Sequence, residues 1–92
     1  LRLAPRLLDE KNWTERERGA VARHFSQLQQ LQKEGKLVLA GRTLRMDPKQ
    51  MGFFIVEVET EEEAQRIMEA DAAVKDGVMT AELFPFRVAL ER

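Results

Sequence analysis

The chain has 92 residues, a net charge of −1 and no cysteine. A chain of this length forms a single small domain, residues 1–92, and buries on the order of 60–65% of its unfolded surface. The balanced charge gives no field that attracts nucleic acid, the lack of cysteine excludes a disulfide framework or a thiolate metal site, and no apolar run approaches the roughly 20 residues that span a bilayer.

We therefore expect a cytoplasmic protein that has no membrane or nucleic-acid partner. The first predicted elements are a strand end at about residues 1–4 and a long helix. The helix begins after Thr14, which forms a capping box with Glu17, and it stops at Gly35. Because Leu1 is not a methionine, we also expect that part of the first strand precedes it.

The apolar face of this helix carries the histidine of the chain. Four apolar residues recur at spacings of three and four and predict a buried face: Val21, Phe25, Leu28 and Leu31. His24 falls inside this stripe. An imidazole on the core side of a helix has either a structural hydrogen-bond partner or a chemical role, and the residues alone leave both readings open.

Two strands that pair as a hairpin follow the helix. The segment 36–46 is rich in leucine and valine and ends at an Asp-Pro turn signal, and the segment 52–59 combines phenylalanine, isoleucine and valine with glutamates. The second strand has apolar residues on both faces. We therefore expect a second copy of the chain to cover the face that the helices leave open.

A second helix, capped by Thr60, ends near Ala70, and Asp71 is placed to cap one further helical turn. Residues 78–90 predict a last strand, and Pro85 within it indicates an edge strand or a bulge. The order of elements predicts an α+β fold of the ferredoxin-like plan, βαββαβ, with both helices on one face of an antiparallel sheet.

RNA binding and metal binding find little support. RNA-recognition motifs share this topology, but Met51 stands where their third-strand signature has a basic residue, and Ile55 and Val58 stand where it has stacking aromatics. A metal site needs several histidines, cysteines or clustered carboxylates. The acidic run at 57–63 is better read as a strand end followed by a helix N-terminus. We expect no metal and no other cofactor.

The remaining polar candidates are His24, Asp71, Arg2, Arg42 and Glu82. Each has a structural reading of its own: a hydrogen-bonded helix residue, a helix cap, or an exposed position on a strand. The spacing of these residues does not show whether they meet.

Several segments together resemble the YciI-like (YCII-related) family, whose members are mainly bacterial. They are the helix with His24, LAGRTL at 39–44, FFIVEV at 53–58, EEEA at 61–64, EADAAVKDGVMTAEL at 69–83 and the closing PFRVAL. The resemblance implies a ferredoxin-like unit that pairs sheet to sheet as a dimeric α/β barrel. The family's hallmark histidine and aspartate, proposed as a catalytic pair, correspond to His24 and Asp71. Where the family often has proline and a bulky apolar residue after the aspartate, this chain has Ala72 and Ala73.

The chemistry that the resemblance implies is proton transfer. Asp71 fixes the tautomer of the imidazole, and His24 acts as general base. Arg42 and Arg2 are the expected binding residues for an anionic substrate or a developing oxyanion. The expected protein is a cofactor-free homodimeric lyase or isomerase that acts on a small anionic or aromatic compound. The alternative is a non-catalytic ligand-binding or regulatory dimer on the same scaffold.

Overall fold

A computed structural model describes residues 1–45 and 47–92. Its strands and α-helices are β1 (Arg2–Leu3), α1 (Glu15–Lys33), β2 (Leu37–Arg42), β3 (Gly52–Val56), α2 (Glu61–Ala70), α3 (Ala72–Lys75) and β4 (Met79–Thr80). Two short 3-10 helices, Pro5–Leu8 and Glu10–Asn12, connect β1 to α1. Met46, the predicted end of the second strand, lies outside the described residues.

The local sequence determines both ends of α1. The Thr14 hydroxyl donates to the Glu17 carboxylate at 2.8 Å, and Glu17 also accepts from the Thr14 amide at 3.3 Å. The hydroxyl hydrogen bond is the main cause that lowers the pKa of Glu17. At the other end Gly35 has a φ of 76°, and the Lys36 amide donates back to the Leu31 carbonyl at 2.9 Å. This left-handed residue closes the helix, as the glycine stop predicts.

The buried side of α1 differs from the predicted stripe. Leu28 and His24 are buried, together with Ala20 and Glu17 in the preceding turns, whereas Phe25 is 60% exposed. Each residue advances an α-helix by about 100°, so the neighbour of His24 points well away from the buried side. The prediction that Phe25 is buried is therefore wrong.

The strands form two antiparallel two-stranded sheets rather than the predicted single sheet of four strands. β2 pairs with β3, and β1 pairs with β4. One residue pair joins the two sheets: the Leu1 amino group donates to the Gly52 carbonyl at 2.9 Å, and the Gly52 amide donates to the Leu1 carbonyl at 2.8 Å. Because β1 has two residues, its pairing with β3 does not extend over a longer stretch.

The last strand is shorter than predicted. The pattern predicts a strand over residues 78–90, but β4 is Met79–Thr80, and residues 81–92 contain no helix or strand. Pro85 has no amide hydrogen to donate, and no described strand lies opposite this segment. The ladder of β4 therefore ends at the last residue that has a partner in β1.

The buried core lies among the first 3-10 helix, α1, α3 and the start of β4. It consists of Leu7, Ala20, Ala73 and Val78. The amide of Val78 donates to the Ala73 carbonyl at 2.9 Å, which closes α3 and carries Val78 into the core. The segment that contains Asp71 is thus attached directly to the best-packed part of the molecule.

Both longer helices lie on the same face of β2 and β3. Leu28 of α1, Ile67 of α2 and Phe54 of β3 line one cleft of about 200 Å³. The opposite face of these strands stays open, and there Leu39 and Phe53 are 46% and 42% exposed. The prediction of two helices on one face of the sheet agrees with this arrangement.

We expect Leu28→Ala to destabilise the protein by about 2–5 kcal/mol, because it removes a buried side chain and leaves a cavity. Phe25→Ala is the matched control on the same helix and should cost less than about 1 kcal/mol, because most of that ring is already in water. Urea unfolding of the two variants measures both values. Equal losses at the two positions would contradict the observed orientation of α1.

Candidate functional site

His24 lies in the middle of α1, on the side that faces the junction of α2 and α3. Its ring is buried, and Nδ1 lies 2.5 Å from Oδ2 of Asp71. The ring of Phe54 meets the imidazole edge-on, with ring centroids 6.5 Å apart. The predicted histidine and aspartate, 47 positions apart in the sequence, are therefore in direct contact.

Asp71 occupies the junction of α2 and α3, and each of its carboxylate oxygens has a partner. Oδ1 accepts from the Ala73 amide at 2.9 Å, which is the N-cap hydrogen bond that the sequence predicts. Oδ2 contacts His24. A buried carboxylate is costly unless its oxygens are satisfied, and these two partners satisfy both.

Gln27, one turn after His24 on α1, holds the backbone on both sides of the aspartate. Its amide nitrogen donates to the Ala70 carbonyl at 3.1 Å, and its amide oxygen accepts from the Ala72 amide at 2.9 Å. These bonds fix the position of Asp71 relative to the helix that carries the imidazole. The sequence reasoning missed Gln27, although its spacing of three from His24 places it on the same helix face.

The hydrogen-bond partners assign the protons of the imidazole. An ionised carboxylate only accepts hydrogen bonds, so neutral His24 carries its proton on Nδ1, and Nε2 has the free lone pair. Nε2 has no hydrogen-bond partner within residues 1–45 and 47–92, yet no fully buried side-chain nitrogen or oxygen in those ranges lacks a partner. Nε2 is therefore not fully buried, although the residue as a whole is 8% exposed.

Arg42 lies on the helix side of the sheet. It pairs with Gly52 in the ladder between β2 and β3, and directly opposite residues share a face. Side chains alternate along a strand, so Arg42 lies on the same face as Phe54, whose ring meets His24. Its side chain is exposed. A guanidinium at this place is on the correct side of the sheet to approach a ligand held at the imidazole.

Arg2 lies on the other face of the sheet. Leu1 pairs with Gly52, which is a helix-side position of β3. The next side chain along the strand, that of Arg2, points the opposite way. Arg2 donates to the Gln50 carbonyl at 3.4 Å and is exposed. Among the described residues, neither Arg2 nor Arg42 has a hydrogen bond or an ion pair with the His24–Asp71 pair.

The cleft between α1 and α2 is lined by Asp71 but not by His24. Asp71 lies at its edge, and the rest of the lining is mostly apolar, including Leu28, Phe54 and Ile67. At about 200 Å³ it is smaller than the roughly 300–1,000 Å³ typical of ligand pockets, which fits a small compound. A larger groove of about 930 Å³ lies elsewhere and is lined by neither His24 nor Asp71.

The chemistry that this arrangement offers is proton transfer at Nε2, assisted by an oriented aspartate. Across the described ranges, no group of three or more histidine, aspartate or glutamate side chains is arranged to hold a metal ion. In the same ranges, none of the helices combines the length and the apolar character needed to cross a bilayer.

A family model, the YCII-related domain, matches residues 5–87. The chain belongs to this family. His24, Asp71 and Arg42 lie inside the matched range, and Arg2 lies outside it. No curated protein and no solved structure matches the chain significantly. For this YCII-related protein, the site must therefore be argued from its own geometry.

We expect Asp71→Asn to reverse the tautomer of His24 while it keeps the cap of α3. The asparagine oxygen still accepts from the Ala73 amide, but its amide group donates to Nδ1 and moves the imidazole proton to Nε2. Two-bond ¹H–¹⁵N NMR at about pH 8.5, above the ordinary range of histidine titration, separates the two forms. A wild-type imidazole protonated at Nε2 would contradict the assignment.

Proposed function

We propose that this YCII-related protein is a small acid–base enzyme in which His24 is the general base and Asp71 orients it. One observation carries the proposal: Nδ1 is held by the carboxylate at 2.5 Å, while Nε2 has no hydrogen-bond partner among the described residues. A carboxylate on one nitrogen stabilises the imidazolium that forms when the other nitrogen takes a proton. The pair is therefore arranged for proton abstraction at Nε2.

The reaction class that fits this pair is a cofactor-free lyase or isomerase reaction. In such a reaction Nε2 of His24 takes a proton from the substrate, and the imidazolium returns it at another atom or to a leaving group. Arg42 lies on the same side of the sheet and is the proposed partner for an anionic group or a developing oxyanion. Arg2, on the other face, is a proposed secondary binding residue. The small, mostly apolar cleft beside Asp71 fits a small aromatic compound, and the proposed role of Arg42 extends this to an anionic one.

A non-catalytic ligand-binding or regulatory protein is the second candidate. Asp71 also caps α3, and Gln27 ties the same junction to α1, so the contact with His24 has a structural purpose even without turnover. An enzyme needs Nε2 of His24 for proton transfer, whereas a binding protein needs it for no more than contact with the ligand.

We further propose that two copies pair through the outer face of β2 and β3, formed by Leu39, Phe53 and Ile55, as a sheet-to-sheet dimer of ferredoxin-like units. The first two of these side chains are 46% and 42% exposed, and contiguous apolar surface of this kind marks association sites. The proposed location of the dimer is the cytoplasm, which is consistent with a chain that has no cysteine.

His24→Asn tests the catalytic role. The asparagine amide keeps a donor near the position of Nδ1, so Asp71 retains a partner, but nothing replaces Nε2. A thermal-shift screen of small carboxylates and phenols first identifies a ligand. Mass spectrometry then measures its conversion, and we expect His24→Asn to lower turnover by about 10²-fold or more.

Ser26→Ala, an exposed change on the same helix, is the control and should convert the ligand at the wild-type rate. Full turnover by His24→Asn would remove the catalytic proposal. A ligand that stabilises the wild type and His24→Asn equally, with no conversion by either, would favour the binding protein.

Leu39→Glu tests the dimer. We expect the wild type to be a dimer at micromolar concentration and Leu39→Glu to be a monomer, because the change places a charge in the proposed interface. Leu44→Glu makes the same substitution at a residue that is 89% exposed outside the strands, and it should remain a dimer. Light scattering after size-exclusion chromatography gives the masses, and a monomeric wild type would disprove the dimer.

A further inference from the structure

A single residue, Asp71, separates α2 from α3, so two helix ends meet there. The backbone of Asp71 belongs to both ends: its amide donates to the Met68 carbonyl at 3.3 Å, and its carbonyl accepts from the Lys75 amide at 2.9 Å. The last carbonyls of one helix and the first amides of the next have no partner within their own helix. At this junction the Ala70 carbonyl and the Ala72 amide are such groups, and they need partners from another element or from water.

Gln27 of α1 supplies both partners with one side chain. Its amide nitrogen donates to the Ala70 carbonyl at 3.1 Å, and its amide oxygen accepts from the Ala72 amide at 2.9 Å. A side-chain amide carries a donor and an acceptor side by side, so it can bind a carbonyl and an amide that lie two residues apart. Asp71 is therefore enclosed between two hydrogen bonds from a single residue.

The same turn of α1 carries the imidazole. His24 lies three residues before Gln27, and residues at this spacing share a helix face. Its Nδ1 contacts Oδ2 of Asp71, so one turn of α1 binds the side chain of the aspartate and the backbone on both sides of it. The position of Oδ2 relative to Nδ1 therefore depends on how firmly Gln27 holds the junction.

The carboxylate of Asp71 has an alternative to the imidazole. An aspartate that precedes a helix readily accepts from amides of the first turn, and Oδ1 already accepts from the Ala73 amide. Without the Gln27 side chain, the Ala72 amide loses its acceptor and the junction loses two constraints. Oδ2 can then turn from His24 towards the amides of α3 or towards water.

We propose that Gln27 is a positioning residue for the proton transfer at His24. It keeps Oδ2 of Asp71 on Nδ1, so the imidazole proton stays on Nδ1 and the lone pair of Nε2 stays available. The importance of this role for turnover rests on the proposed enzyme function, whereas its effect on the tautomer does not. Gln27 acts through Asp71 and needs no contact with a substrate.

Arg23 provides a matched control, because it also attaches α3 to α1. Its Nη2 lies 2.9 Å from Oδ2 of Asp76, at the opposite end of α3 from Asp71. Like Gln27, Arg23 is an exposed residue of α1. If Gln27 served only to attach α3, the two residues would have the same role.

The test compares Gln27→Met with Arg23→Met, because methionine keeps an unbranched stem and removes the hydrogen bonds. The chain has one histidine, and two-bond ¹H–¹⁵N NMR at about pH 8.5 measures the share of neutral His24 that has its proton on Nε2. We expect Gln27→Met to raise this share about twofold or more over the wild type, because the hydrogen bond at Nδ1 determines the tautomer. Arg23→Met should keep the wild-type share.

An unchanged tautomer share in Gln27→Met would overturn the proposal. So would an equal rise in Arg23→Met, because any loosening of α3 would then have the same effect. The enzyme proposal fails if His24→Asn converts its ligand at the full rate, whereas the proposal for Gln27 fails on the tautomer alone. The two failures are therefore distinguishable.

Discussion

The hydrogen bond between Asp71 and His24 links the chemistry of the molecule to its packing. One oxygen of Asp71 holds the imidazole on α1, and the other holds the first turn of α3, whose Ala73 lies in the core. Gln27 of α1 also forms hydrogen bonds with the backbone at the junction of α2 and α3. The position of the imidazole is thus determined by the contact that joins α1 to the second half of the chain.

Membership of the YCII-related family and the geometry of the pair contribute different things to the functional proposal. The family match covers residues 5–87 and identifies the kind of domain. The geometry adds that Nδ1 is occupied, that Nε2 has no hydrogen-bond partner among the described residues, and that Arg42 lies on the same face of the sheet as Phe54. An imidazole held by a carboxylate at one nitrogen is the arrangement on which the proposed proton transfer rests.

Local signals in the sequence predicted local structure well, and long-range pairing poorly. The capping box at Thr14, the glycine stop at Gly35 and the cap at Asp71 each depend on a few neighbouring residues, and each is present in the structure. The orientation of Phe25 depends on which side of α1 meets the core, and the length of the last strand depends on what lies opposite it. Neither is encoded in a short window. The contact of His24 with Asp71 was likewise beyond spacing arguments, because 47 residues separate them.

The wide separation of the paired residues has a consequence for how the site comes into being during folding. The hairpin of β2 and β3 and the turns of α1 close short loops, whereas the pairing of Arg2 with Thr80 closes nearly the whole chain. Contacts of long sequence separation carry a larger entropic cost and tend to form late. A partly folded chain can therefore have its helices and hairpin while His24 still lacks its carboxylate, and the tautomer of the imidazole is fixed only when the junction of α2 and α3 has packed against α1.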